Sequence, residues 1–354
     1  MRRISDTLAR LAAYQQPAGF GAAPAGRLTA FEGFGSNPGA LGAYTYVPPG
    51  LAAGAALVVV LHGCTQNAAG YDLGTGWSML ADQGGFALLF PEQRRANNGN
   101  LCFNWFDPAD IARTGGEAQS IAQMVETLAA AHAIDRAKVF VTGLSAGGAM
   151  TAVMLATYPD LFAAGAIIGG LPYGCAATVP QALDRMRGHG GPSDADAAAA
   201  VRRARGDATA SPAVSIWQGS ADMTVVPVNA DRLAAQWRGV HGLSAAPTET
   251  ERGANWEHRV WRDDAGRAAV EQWSVAGMGH GVPIDATHLG QAGPYMLDVG
   301  LSSTQAIAAG WGLVAAAPVV KPVASDRPTR PFPNPASGVQ DMIEAALRSS
   351  GLLR

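Results

Sequence analysis

From residue 56 onward, short apolar runs alternate with helical stretches, and this rhythm limits the chain to few architectures. The runs are Ala56 to Leu61, Phe86 to Phe90, Lys138 to Thr142, Ala164 to Ile168, Val214 to Trp217 and Val270 to Val275. They are almost continuously apolar, as strands buried on both faces are. Between them, Glu117 to His132 places Ile121, Val125, Leu128 and Ala129 on one helical face. A second helix is expected from Asn229 to Val240, with Asn229 as its cap. Strands separated by helices predict an α/β chain with a mostly parallel central sheet flanked by helices. Upstream, Leu28 to Phe34 and Tyr44 to Val47 alternate in polarity and predict a hairpin leading into that sheet.

At 354 residues the chain suits one large catalytic domain with decorations. Residues 1–27 read as an N-terminal helix and linker, 28–316 as the catalytic domain, and 317–354 as a Pro-rich linker and C-terminal helix. Within the domain, residues 181–212 break the alternation and read as a lid-like insertion over the sheet's carboxyl edge. With 25 Lys and Arg against 28 Asp and Glu, the net charge of −3 makes no electrostatic case for nucleic acid or an anionic membrane as partner. The apolar runs are too short to cross a bilayer. After Met1-Arg2-Arg3 come Ser5, Asp6, Thr7 and Arg10 rather than an apolar core, so no secretory leader is expected in this numbering. The chain is then either retained inside the cell or numbered after removal of a leader.

Three cysteines, Cys64, Cys102 and Cys175, leave at least one thiol free or bonded to another chain. A Cys64–Cys102 bridge would contribute about 3 to 4 kcal/mol by restricting the unfolded chain, and would fit an oxidising compartment. No Cys-x-x-Cys occurs and the seven histidines lack metal-ligand spacing, so neither a metal nor a cofactor is expected.

The chemistry is concentrated in Gly143-Leu144-Ser145-Ala146-Gly147, directly after one apolar run and directly before the helical run Met150 to Tyr158. A serine on a tight strand-to-helix turn needs small neighbours, because its backbone packs against both elements. Its hydroxyl also needs a base oriented by an acid. In this architecture the acid and then the histidine follow in the chain. Asp222, just past the run ending at Trp217, is the expected acid. His280, in a Gly-flanked loop after Val275, is the expected base, with His288 as the alternative. Backbone N–H groups must stabilise the developing oxyanion, and Cys64 and Ala146 are the expected donors. His62 reads as a partner for loop backbone rather than a catalyst. Trp105, in an aromatic loop, is a candidate substrate-binding wall or a core residue, and Tyr173 a candidate second wall.

Several motifs, taken in order, resemble esterases of the poly(3-hydroxybutyrate) depolymerase type, which are α/β-hydrolases related to feruloyl and acetylxylan esterases. They are Leu61-His62-Gly63-Cys64-Thr65-Gln66, Pro91-Glu92-Gln93, Leu101 to Phe106, Gly143 to Met150, Gly170 to Ala176, Asp222 to Pro227 and Gly277 to Gly281. The resemblance implies the α/β-hydrolase fold, Ser145, Asp222 and His280 as triad, Cys64 and Ala146 as oxyanion donors, and Trp105 beside a bound polyester chain. It also implies an extracellular location, against the cytoplasmic alternative. The expected function is therefore serine ester hydrolysis of short-chain poly(3-hydroxyalkanoate) or its oligomers. The alternatives are a feruloyl or acetylxylan esterase, and a non-catalytic binding protein on a hydrolase scaffold.

Overall fold

The computed structural model describes residues 26–208 and 211–315. The helices expected near residues 4–14 and 338–353 lie outside these. Strands β1 (Thr29–Ala30), β2 (Gly42–Tyr46), β3 (Leu57–Leu61), β4 (Ala87–Glu92), β5 (Val139–Leu144), β6 (Ala164–Ile168), β7 (Ala213–Gly219), β8 (Glu249–Arg252), β9 (Trp256–Arg262) and β10 (Ala268–Val275) form one sheet. Its order is β1-β2-β4-β3-β5-β6-β7-β10-β9-β8. The six strands from β4 to β10 pair in parallel, while β1, β2, β9 and β8 extend the two edges antiparallel. The expected hairpin is the β1–β2 pair, Thr29 opposite Thr45. The outermost strand β8, Glu-Thr-Glu-Arg, is fully exposed, and its charges discourage further edge pairing. A small parallel pair, β11 (Val282–Ile284) and β12 (Met296–Asp298), lies apart.

The helices are α1 (Ala68–Thr75), α2 (Trp77–Gly84), α3 (Gly116–Ala131), α4 (Ala146–Thr157), α5 (Val179–Met186), α6 (Asp194–Ala204), α7 (Val228–His241) and α8 (Ser303–Gly310). They cover both faces of the sheet, which explains why β3 carries apolar side chains on both of its faces. Leu57, Val59 and Leu61 of β3 pack in one layer with Ile121 and Val125 of α3, Met150 of α4 and Trp237 of α7. Val58 and Val60 point the other way, toward Tyr71 of α1, Trp77 of α2 and Ile307 of α8. Among the described residues no helix is long and apolar enough to cross a membrane.

One local expectation is corrected. The second long helix begins at Val228, after Pro227, and its N-terminus carries no side-chain cap. Asn229 already lies inside the first turn, and its Nδ2 donates to the Met186 and Val226 carbonyls. The chain turns into the helix one residue early, so this amide ties α7 to the end of α5 instead of capping its own helix.

Candidate active site

The carboxyl ends of the parallel strands converge on one crevice, where ligands bind in open α/β sheets. At the end of β5, Ser145 adopts φ 57° and ψ −117°, a backbone conformation that costs about 1 to 3 kcal/mol for a residue with a side chain. Its N–H donates to the Ile168 carbonyl at 2.9 Å, and its own carbonyl accepts from Ala149 at 2.8 Å, so both neighbouring elements hold the turn. The flanking glycines are required by contact. A Cβ on Gly147 would lie 2.5 Å from the His62 carbonyl oxygen and closer still to that of Leu61, and one on Gly143 would meet the Gly147 carbonyl.

Asp222 follows β7 and is 2% exposed. Its Oδ1 accepts the N–H groups of Thr224 at 2.8 Å and Val225 at 2.9 Å. Its Oδ2 accepts Gln218 Nε2 at 3.0 Å and His280 Nδ1 at 2.7 Å, across 58 residues of chain. With Nδ1–H held by the carboxylate, the other ring nitrogen of His280 is left as a proton acceptor. His288, in contrast, pairs with Asp285 near the surface, its side chain 77% exposed.

Ser145 and His280 line a cavity of 120 Å³ together with Cys64, Ala146, Trp105 and Leu171. Ala146 is the first residue of α4, and its N–H is one of the donors that a helix start leaves unpaired. Among the described residues, nothing accepts from the N–H of Ala146 or Cys64. Cys64 is bonded through its sulfur to Cys102, while Cys175 is free and buried, with its thiol pushed up to about 12 by desolvation. Among the described residues no cluster of three or more His, Cys, Asp or Glu side chains is arranged to hold a metal ion.

His62 is buried behind the Cys64 loop. The Gln93 N–H donates to its Nε2 at 3.1 Å, so its proton sits on Nδ1 and goes to the Gly63 carbonyl at 2.7 Å. Desolvation lowers its pKa to about 4. The imidazole is thus neutral and turned to the loop backbone.

Trp105 is 7% exposed and packed in the core with its ring edge-on to Phe106, and it also borders the cavity. Tyr173 is a correction. It is not among the residues that line this cavity, where Leu171 forms that part of the wall; its backbone N–H and carbonyl are both bonded by Gln236 of α7. Tyr295, which sequence reasoning missed, also lines the cavity, with its ring edge-on to His280 at 6.2 Å. It precedes β12, and no local pattern distinguishes it. Leu183 and Met186 arrive from α5, in the segment read from sequence only as a lid-like insertion.

Residues 41–261 match the model of the esterase PHB depolymerase family. The chain is similar to poly(3-hydroxyalkanoate) depolymerase C of Paucimonas lemoignei, with 44% identity over 296 residues that cover 81% of this chain and 70% of that one. It is 33% identical to feruloyl esterase B of Talaromyces stipitatus over 271 residues, 74% of each chain. Among solved structures, the acetyl xylan esterase from Aspergillus awamori superposes with a TM-score of 0.66 at 32% identity, covering 72% of this chain and 93% of that one. With the α/β-hydrolase sheet in place, the chain therefore belongs to the PHB depolymerase esterase family and is a serine-type ester hydrolase.

Proposed function

We propose that the protein hydrolyses short-chain poly(3-hydroxyalkanoate) polyester or its oligomers through an acyl-enzyme on Ser145. In this reading His280 takes the Ser145 proton as Oγ attacks the ester carbonyl, and Asp222 stabilises the imidazolium that forms. The N–H groups of Cys64 and Ala146 receive the oxyanion. As the tetrahedral species collapses, the ester C–O bond breaks and His280 returns its proton to the leaving hydroxyl. Water then attacks the acyl-enzyme by the same route, releasing the acid and restoring Ser145.

The observation that carries the substrate assignment is the character of the cavity. Its lining contains no Asp, Glu, Lys or Arg, and is largely apolar, with Val179, Leu183 and Met186 of α5 among its residues together with Trp105 and Phe106. Its 120 Å³ lies below the roughly 300 to 1,000 Å³ that buries a drug-sized ligand, which suits a short aliphatic acyl unit. The similarity to the Paucimonas depolymerase supports the same choice. We read α5 and α6 as the lid, since α5 supplies one cavity wall. The Cys64–Cys102 bond supports work outside the reducing cytosol.

A second reading, removal of acetyl groups from xylan, is favoured by the similarity to the Aspergillus awamori esterase and by the amides of Gln66, Asn98 and Asn100 at the cavity. Comparing kcat/KM for hydroxybutyrate trimer, acetylated xylan, methyl ferulate and 4-nitrophenyl butyrate separates the readings. The trimer should lead among the natural esters, and Ser145→Ala should abolish all four activities; preference for acetylated xylan would overturn the polyester reading.

A further inference from the structure

Behind the cavity wall lies a buried polar chain that the proposed reaction does not use. Gln93 follows β4 and is 2% exposed. Its backbone N–H donates to His62 Nε2 at 3.1 Å, and its side-chain Nε2 donates to the Cys102 carbonyl at 3.0 Å and to Glu117 Oε1. Its Oε1 accepts from the Arg94 N–H and from Asn97 Nδ2, both at 2.9 Å. Glu117, fully buried in the first turn of α3, accepts the Asn104 N–H on its other oxygen at 2.8 Å. One residue is thus bonded to the two loops that face Ser145: its backbone N–H reaches the loop after β3 through His62, and its side chain reaches the loop 98–106 through Cys102 and, by way of Glu117, Asn104.

The direction of one peptide unit gives this arrangement a chemical consequence. His62 Nδ1 donates to the Gly63 carbonyl, and the Gln66 N–H approaches the same oxygen at 3.3 Å. The Gly63–Cys64 peptide is trans, so its N–H points opposite to its C=O. Holding the Gly63 oxygen toward His62 therefore turns the Cys64 N–H away from His62. The Phe103 ring packs on the His62 imidazole at 5.0 Å, and the Thr65 N–H donates to the Asn100 carbonyl at 2.7 Å, so movement of either loop is passed to the other.

We propose that Gln93 is a positioning residue: its side chain, bonded to Cys102, Glu117 and Asn97, fixes the backbone N–H that holds His62, and so locks the Cys64 oxyanion donor and the Cys102–Trp105 cavity wall into one unit. The proposal rests on the assignment of the Cys64 N–H as oxyanion donor. Loosening the unit misdirects a donor that matters most in the transition state, so kcat should fall more than KM changes.

The test compares Gln93→Leu, which keeps the bulk and the backbone N–H on His62 but removes the side-chain bonds that fix that backbone, with the parent enzyme on 4-nitrophenyl butyrate. Rates are divided by the active sites counted by stoichiometric labelling with a 4-nitrophenyl phosphonate, so loss of folded protein does not enter. The expected result is a fall in kcat per labelled site of about tenfold or more, with KM within threefold. Glu117→Gln, which preserves volume and replaces one of the two accepting oxygens by an NH2 that cannot accept from Gln93 Nε2 or the Asn104 N–H, should give a smaller fall in kcat in the same direction, and serves if the leucine variant does not fold. If kcat per labelled site stays within twofold of the parent in every variant that folds, the proposal is overturned and the network is structural only. Failure of the phosphonate to label Ser145 in the parent enzyme would instead overturn the functional reading beneath it.

Discussion

Asp222→Asn changes few atoms and has a sharply defined expected outcome. The two backbone donors on Oδ1, from Thr224 and Val225, belong to a fixed turn, so the asparagine must keep its oxygen there. Its Nδ2 then takes the place of Oδ2, facing Gln218 Nε2 and His280 Nδ1. Two amide groups now donate toward each other, and His280 can accept from the asparagine only by giving up the proton on Nδ1. The proton moves to Nε2, the nitrogen that must accept from Ser145. By the corresponding loss in other serine triads, kcat should fall about 10⁴-fold, or about 5 kcal/mol of transition-state stabilisation, with KM little changed. The clash at Gln218 should also cost about 1 to 3 kcal/mol of stability. The assay is steady-state hydrolysis of 4-nitrophenyl butyrate with a melting curve on the same preparation. A folded variant losing less than about tenfold in kcat would refute the assignment of Asp222 as the group that fixes the tautomer.

Three further outcomes follow from the geometry. Gly147→Ala drives a Cβ into the Leu61 and His62 carbonyls, so it should lower stability by about 1 to 3 kcal/mol and depress activity as the turn is pushed off β3; an unchanged melt and rate would contradict the close approach. Trp105→Ala should cost about 3 to 5 kcal/mol of stability and, per active site, lower kcat/KM for hydroxybutyrate oligomers about tenfold more than for a small activated ester; an unchanged ratio would leave Trp105 as core alone. Burial raises the Glu117 pKa from 4.5 to about 8. Between those values the folded chain keeps a proton that the unfolded chain has lost, so this contribution falls as pH rises. Denaturant titrations should show the parent losing about 2 kcal/mol, relative to Glu117→Gln, between about pH 6 and pH 8, and parallel curves would count against the shift.

Much of the fold was legible because its signals are local. A strand buried on both faces is largely apolar, and a helix repeats every 3.6 residues, so the six parallel strands and the two long helices stood out without any knowledge of their neighbours. Gly143, Ser145 and Gly147 were legible for a similar reason: a serine held at φ 57° between a strand and a helix requires small residues at fixed offsets. Chain order and loop position were enough to select Asp222 and His280 as candidates. Sequence failed where a side chain's partner is distant. Asn229 has a cap's chemistry, yet the tertiary contact with Met186 engaged its amide. Tyr173 has a wall's chemistry, yet Leu171, two residues earlier, lines the cavity and Tyr173 does not, while Gln236, 63 residues away, bonds its backbone.

By itself, then, the sequence determined the parallel α/β sheet, the strained serine turn and the order of the candidate triad, since each is written in periodicity or in backbone sterics over a few residues. The tertiary structure alone decided which cysteines pair, since three thiols allow several pairings and only Cys64 and Cys102 come together, with Cα atoms 4.2 Å apart. It alone decided that Trp105 serves core and cavity at once, that Tyr295 and Met186 complete the pocket, and that Gln93 joins two loops through a buried chain. These outcomes depend on burial and on hydrogen-bond partners drawn from distant strands, and neither exists until the sheet has brought those strands side by side.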